Sequence, residues 1–178
     1  MLAYGSRISL TEARFLRGVS RFWGTRSLDS TFIAATRLGD WPLYVLVAAF
    51  LIGTHRSSCG PGLLAEALAI ILSITVFTIV KNIAHRPRPF EKYPDLSYLL
   101  APPDRFSFPS GHTMTGFAVC TALSGILPLL FPALVLTSVL IGLSRVYLGC
   151  HYPTDVIAGA ILGSFIGKLS ISLVEMIL

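Results

Sequence analysis

The sequence predicts an all-α, multi-pass transmembrane bundle of five to six helices, led by an interfacial amphipathic helix at the N-terminus. Three observations predict it. Hydrophobic residues make up 53% of the 178-residue chain and charged residues only 13%, where soluble domains carry about 25%; the mean hydropathy is +0.72. Five apolar runs fall at residues 41–54, 63–80, 113–126, 133–148 and 156–177. Short turns such as "THRSSCGPG" and "LPLLFP" join most of these runs, as in a bundle of helical hairpins. The length suits one membrane-embedded unit over 1–178, with 1–40 as an interfacial helical segment and 41–178 as the bundle.

The elements follow in order. "SLTEARFLRGVSRFW" reads as an amphipathic helix, with Ser9 and Glu12 spaced as a capping box. Phe15, Leu16, Val19, Phe22 and Trp23 form its apolar stripe, and Arg14, Arg17 and Arg21 point elsewhere. Such a helix lies in the membrane interface or packs on the end of the bundle. "LDSTFIAATRLGD" reads as a second interfacial piece ending at Gly39. A membrane crossing needs about 20 residues, so the first and third apolar runs must borrow flanking residues such as Asp40 and His112. In the last run Gly159, Gly163 and Gly167 recur every four residues, a smooth face expected to pack within the bundle.

The net charge of +5 does not point to nucleic acid, because the basic residues fall at span ends and on the N-terminal helix rather than on a solvated face. Cys59, Cys120 and Cys150 form no paired framework and are expected as small packing groups. No signal-peptide pattern is visible.

Counting through the spans brings the remaining charge together. Span two ends at Lys81, span three begins at His112, span four ends near Arg145 and span five begins near Asp155. All four positions therefore fall on one side of the membrane. Lys81, Arg88 and Arg145 supply fixed positive charge, with Arg86 as a further cation, and such charge at a membrane edge calls for an anion or water. "PSGH" opens a helix, so the N–H groups of Ser110 and Gly111 are expected to face a phosphate at the positive dipole end. His151 and Asp155 lie four apart; on a common face, Asp155 accepts the Nδ1 proton and leaves Nε2 as a nucleophile. His112 is then the proton donor to a leaving oxygen. A histidine nucleophile, a histidine acid and a cationic clamp describe metal-free hydrolysis of a phosphomonoester or diphosphate. The competing arrangement, two histidines and a carboxylate on a metal, is disfavoured by the surrounding cations.

These segments resemble the signature of the type-2 phosphatidic acid phosphatase superfamily: K-x6-RP at Lys81 to Arg88-Pro89, PSGH at Pro109 to His112, and SR-x5-H-x3-D at Ser144-Arg145, His151 and Asp155. No position departs from the pattern. The stretch "SLDSTFIAATRLGDWPLY" is similar to the one before the first span in small bacterial undecaprenyl-diphosphate phosphatases. The resemblance implies His151 as phosphohistidine nucleophile, Asp155 as its orienting partner and His112 as general acid. It implies Lys81, Arg88, Ser110, Gly111 and Arg145 as phosphate ligands, with no metal and no cofactor. The implied substrate is a lipid phosphate or diphosphate, with undecaprenyl diphosphate first, then phosphatidic acid or phosphatidylglycerol phosphate. Lipid A processing, or lipid binding without catalysis, are the alternatives. The motifs do not read the lipid tail, and oligomeric state leaves no separate trace.

Positive-inside counting puts the active side in the cytoplasm, whereas the resemblance implies the outer, periplasmic face of a bacterial inner membrane. The outer face is the expectation, because several of the counted charges are site residues. The loop 91–108 beside the site reads as a roof for a lipid headgroup or as an ordered connector. Glu66 and Lys168 are expected to snorkel toward nearby span ends, and His55 and His85 to play no chemical part.

Overall fold

A computed structural model of the chain describes residues 2–54 and 59–177, with side chains from residue 10 onward. Eight helices follow one another: α1 Leu2–Ser20, α2 Arg26–Leu38, α3 Pro42–Thr54, α4 Cys59–Ala84, α5 Pro89–Lys92, α6 Gly111–Ala122, α7 Phe131–Tyr147 and α8 Pro153–Ile177. Among the described residues there is no strand. The segment led by α4, and α8, are each long and apolar enough to cross a membrane; α2 and α3 together meet the same test but bend by 57° at their junction. The chain is a membrane protein of all-helical class.

The bend between α2 and α3 follows from local contacts. Gly39 lies against Ile141, whose Cγ2 would be 2.8 Å from any added Cβ, and Pro42 restarts the helix in its first turn, where proline costs no hydrogen bond. Asp40 is carried on that corner. In α4 the sequence "CGPG" is absorbed into the helix rather than the turn, with Pro61 again near the N-terminus. His55 lies outside the described residues.

At the centre stands α6. Met114, Ala118, Val119 and Ala122 are buried in the core, and α6 packs on α4, α7 and, most extensively, α8. The α8 glycines make that last contact possible. A Cβ on Gly159 would meet the carbonyl of Ser110 at 2.7 Å, and one on Gly163 or Gly167 would overlap the carbonyls of Met114 and Ala118. The stripe thus packs backbone on backbone inside the bundle, and an enclosed helix of only 12 residues suffices there. Leu46, Ile71, Ile79, Ile83, Leu136 and Phe165 are exposed, as expected of faces that meet lipid rather than water.

The N-terminal helix docks on the bundle end. Ala13 and Leu16 pack with Leu96, Val146 and Tyr152, Trp23 Nε1 donates to the carbonyl of Tyr147 at 2.8 Å, and Phe15 and Phe22 stay exposed. The capping box is corrected: α1 starts at Leu2, so Ser9 lies inside the helix, and the Glu12 carboxylate turns to the far end of the chain instead. Glu66 is corrected too. It does not snorkel but is buried, with neither carboxyl oxygen bonded. Lys168 is exposed.

Candidate active site

Lys81 at the end of α4, Arg88 before α5, Gly111 and His112 opening α6, Arg145 on α7 and His151 before α8 all line one cavity of about 500 Å3. Its other wall is apolar, formed by Trp41 just before α3, Tyr44 and Val45 of α3, and Ile70, Ile74 and Phe77 of α4. Residues scattered over the length of the chain therefore meet at one end of the bundle, as span counting expects.

His151 is buried in the turn after α7. Gly149 makes that turn possible: its φ is +76°, and a Cβ there would overlap the carbonyl of Ser97. The amides of Cys150 and His151 both reach the Arg145 carbonyl, at 3.1 and 3.2 Å. His151 Nε2 lies 3.5 Å from Arg88 Nη1, a cationic neighbour that favours an unprotonated nitrogen there. Burial first, then the charges of Arg145, Arg88, Lys81 and His112, holds His151 well below the usual imidazole range, so it is neutral at physiological pH.

Asp155 sits in the first turn of α8, fully buried. Its Oδ2 is 3.5 Å from His151 Nδ1, longer than a formed hydrogen bond, and accepts the Tyr152 amide at 2.9 Å. Its Oδ1 takes Arg86 Nη1 at 2.5 Å. Arg86 is therefore a partner of Asp155 rather than a cavity cation. Arg86 also reaches Glu12 Oε2 at 2.6 Å, and Glu12 Oε1 accepts the Thr154 amide and hydroxyl at 3.0 and 2.6 Å.

The three cavity cations differ in how they are held. Arg145 Nη1 donates to Thr36 Oγ1 at 2.6 Å, while Nε and Nη2 are buried without an acceptor. Unanswered guanidinium donors beside a cavity are suited to an anion. Arg88 Nη1 donates to the Cys150 carbonyl at 2.7 Å. Lys81 Nζ and Arg88 Nη2 both contact Asp104, at 2.7 and 2.9 Å.

Two expectations shift. The Ser110 amide does not face the cavity: it donates to the Asp155 carbonyl at 3.0 Å, and its hydroxyl pairs with Thr113 Oγ1 at 2.9 Å. The first-turn amides available to an anion are those of Gly111 and His112, which have no acceptor within the helix. Further, His112 has a carboxylate neighbour that sequence spacing hides, Asp40, whose Oδ1 is 2.7 Å from Nε2. Glu12, Asp40 and Asp104 are all groups the sequence reading missed as site residues. Topology alone offers a signal for Asp40, which heads the first span on the active side.

The remaining groups are quiet. His85 is exposed, stacks edge-on to Phe106 and closes α4 at φ 46°. Burial first pushes the Cys150 thiol up, more than Arg145 and Arg88 pull it down, which fits a packing group. Residues 91 and 92 of the expected roof loop belong to α5, Pro89–Lys92. Among the described residues no three His, Cys, Asp or Glu side chains gather at metal-ligand spacing.

An all-helical membrane bundle with such a cavity belongs to the class of membrane phosphatases. Residues 62–177 match the model of the PAP2 superfamily, and the chain belongs to that superfamily. It is 35% identical to an undecaprenyl-diphosphatase of Sulfolobus acidocaldarius over 83% of this chain and 71% of that one. Among solved structures it is similar to the PAP2-type phosphatidylglycerolphosphate phosphatase of Bacillus subtilis, at 26% identity and TM-score 0.78 over 97% of this chain and 88% of that one. It also resembles LpxE of Aquifex aeolicus, at 30% identity and TM-score 0.70 over 89% and 93%.

Proposed function

We propose that the chain, as one membrane-embedded unit, hydrolyses the terminal phosphate of a lipid diphosphate or monophosphate through a phosphohistidine. Undecaprenyl diphosphate is the leading substrate and phosphatidylglycerol phosphate the next. The observation that carries this reading is the joint lining of one cavity by Lys81, Arg88, Arg145, His112 and His151, with an apolar wall on its other side. Cations and histidines answer the phosphate, and the wall of Trp41, Val45 and Ile74 answers the tail.

In the first step His151 Nε2 forms a bond to the terminal phosphorus as the bond to the leaving oxygen breaks, and His112 gives that oxygen a proton. Water then attacks the phosphorus, giving up a proton to His112, as the phosphorus–nitrogen bond breaks and returns its electron pair to His151 Nε2, and inorganic phosphate leaves. Lys81, Arg88, Arg145 and the Gly111 amide hold the equatorial oxygens, with Ser110 supporting the helix start through Thr113. Preorganised charge of this kind is usually the largest catalytic contribution. Asp155 Oδ2, 3.5 Å from Nδ1, closes on it to steady the His151 ring as the reaction proceeds.

The active end is assigned to the outer face of the cell membrane. Positive-inside counting loses force because Lys81, Arg88 and Arg145 line the cavity and other counted arginines lie on the N-terminal helix docked on the bundle end. A membrane-impermeant maleimide on Ala101→Cys in intact cells tests this; labelling only after permeabilisation rejects it.

The functional test is phosphate release from a panel of purified lipid phosphates in mixed micelles. Wild type is expected to act most strongly on undecaprenyl diphosphate, with orthovanadate inhibiting and chelators without effect. His151→Ala is expected to fold and to release no phosphate. Substantial turnover by that variant removes the covalent route.

A further inference from the structure

Two of the cavity cations already hold an anion. Asp104, on the loop between α5 and α6, sets Oδ2 2.7 Å from Lys81 Nζ and Oδ1 2.9 Å from Arg88 Nη2, and its main-chain carbonyl accepts Arg88 Nε at 3.0 Å. A carboxylate and a phosphate offer paired oxygens to the same donors, so they compete for them. Exposure is unequal between the partners. The side chains of Lys81 and Arg88 are 7% and 1% exposed, while that of Asp104 is 40% exposed at the cavity mouth. The cations are enclosed, and the carboxylate has solvent beside it into which it can turn.

We propose that Asp104 is a built-in competitor for the phosphate site: it occupies Lys81 and Arg88 between turnovers, yields to an incoming phosphate and helps to expel the inorganic phosphate left behind. This inference rests on reading the cavity as a phosphate site. Two physical needs are met by one side chain. Lys81 and Arg88 are buried, and a buried charge without a counter-charge is costly. A pocket of three unopposed cations also holds free phosphate tightly and releases product slowly. The competitor weakens the grip on every phosphate equally, but a lipid phosphate also gains binding from its tail along Trp41, Val45, Ile70 and Ile74. Free phosphate has no such gain, so the weakened site lets inorganic phosphate go at concentrations where the lipid, held also by its tail, stays bound. Burial pushes the Asp104 carboxyl up, yet the hydrogen bond and charge of Lys81 and the charge of Arg88 outweigh it and hold the group below the usual carboxylate range. It is an anion whenever the site is at neutral pH.

Asp104→Asn tests the proposal, since it keeps the size and the carbonyl bond to Arg88 while removing the charge. Inorganic phosphate is titrated calorimetrically into purified wild type and variant in detergent, and its inhibition of lipid-phosphate hydrolysis is measured. Phosphate is expected to bind and inhibit roughly tenfold more tightly in the variant. Asp104→Ser should behave alike, and phosphate should raise the melting temperature of both variants more than that of wild type, since it supplies the missing counter-charge. A carboxylate that merely holds Lys81 and Arg88 in place predicts the opposite sign, so unchanged or weaker phosphate binding in a folded variant overturns the competitor. If wild type neither binds phosphate nor hydrolyses any lipid phosphate, the site reading itself fails. If wild type is active and the phosphate affinity of Asp104→Asn is unmoved, the competitor alone is rejected.

Discussion

Glu12 and Arg86 meet at 2.6 Å across 74 residues of sequence. The contact ties the N-terminal helix to the base of α8, because the other head of Arg86 grips Asp155 and Thr154 at 2.5 and 2.8 Å. Arg86 also lies over the Tyr152 ring at 4.0 Å. Asp155 therefore balances between Arg86 on one side and His151 on the other. Glu12→Gln leaves Arg86 with Asp155 as its only carboxylate and draws Asp155 away from the imidazole. In steady-state kinetics kcat is expected to fall roughly tenfold with KM little changed, and Glu12→Asp should recover part of it. A fall in thermal stability with unaltered kcat would assign Glu12 to docking of α1 alone.

Asp40 stands to His112 as a carboxylate orienter, at 2.7 Å from Nε2. Asp40→Asn removes its charge while keeping its shape. The loss is expected in kcat, on the order of tenfold to a hundredfold, and to be smaller for a substrate analogue with an acidic leaving group that needs no proton. An equal loss on both substrates contradicts a role in proton supply.

Acid should destabilise the fold through His151. Burial and its cationic neighbours make the folded chain bind this proton less readily than the unfolded chain does. As pH falls through about 6.5, the ordinary imidazole value, the unfolded state takes up the proton and stability drops. The melting temperature in detergent is expected to fall between pH 7.5 and 5.5, and to fall less in His151→Gln. An identical decline in both proteins refutes this account.

The α6–α8 seam should tolerate no added carbon at its middle. Gly163→Ala places a Cβ on the Met114 carbonyl, an overpacking that costs about 1–3 kcal/mol and separates the two helices. Melting temperature and activity should both decrease. Ile161→Ala, on the exposed face of the same helix, should change neither appreciably; equal effects would mean that the seam is slack.

Much of this was legible in the sequence, for identifiable reasons. Apolar run length gave the all-helical membrane class. Among the described residues, however, only the runs in α4 and α8 are long enough to cross, and that in α3 only with α2 across a bend. Counting run ends brought Lys81, His112, Arg145 and Asp155 to one side. The partners were harder. Glu12 fitted a capping pattern that says nothing of a residue 74 positions away, and Asp40 and Asp104 sit in corners whose direction only packing sets. Ser110 misled for a related reason: a helix start exposes several amides, and which one faces a ligand depends on the neighbour, here the Asp155 carbonyl. Short apolar runs misjudged nothing about class, since α6 is enclosed by α4, α7 and α8 and α3 extends through a bend into α2.

The apolar cavity wall reaches the outside of the bundle, since Trp41, Val45 and Ile74 are largely exposed. An amphiphile seated there keeps its chain immersed in the leaflet throughout the reaction. Its capture is thus a two-dimensional search, and speed should track the mole fraction of substrate in the sheet rather than its bulk molarity. Diluting the surface with inert lipid at constant total substrate would slow the protein, a behaviour foreign to a hydrolase that lifts its target into water.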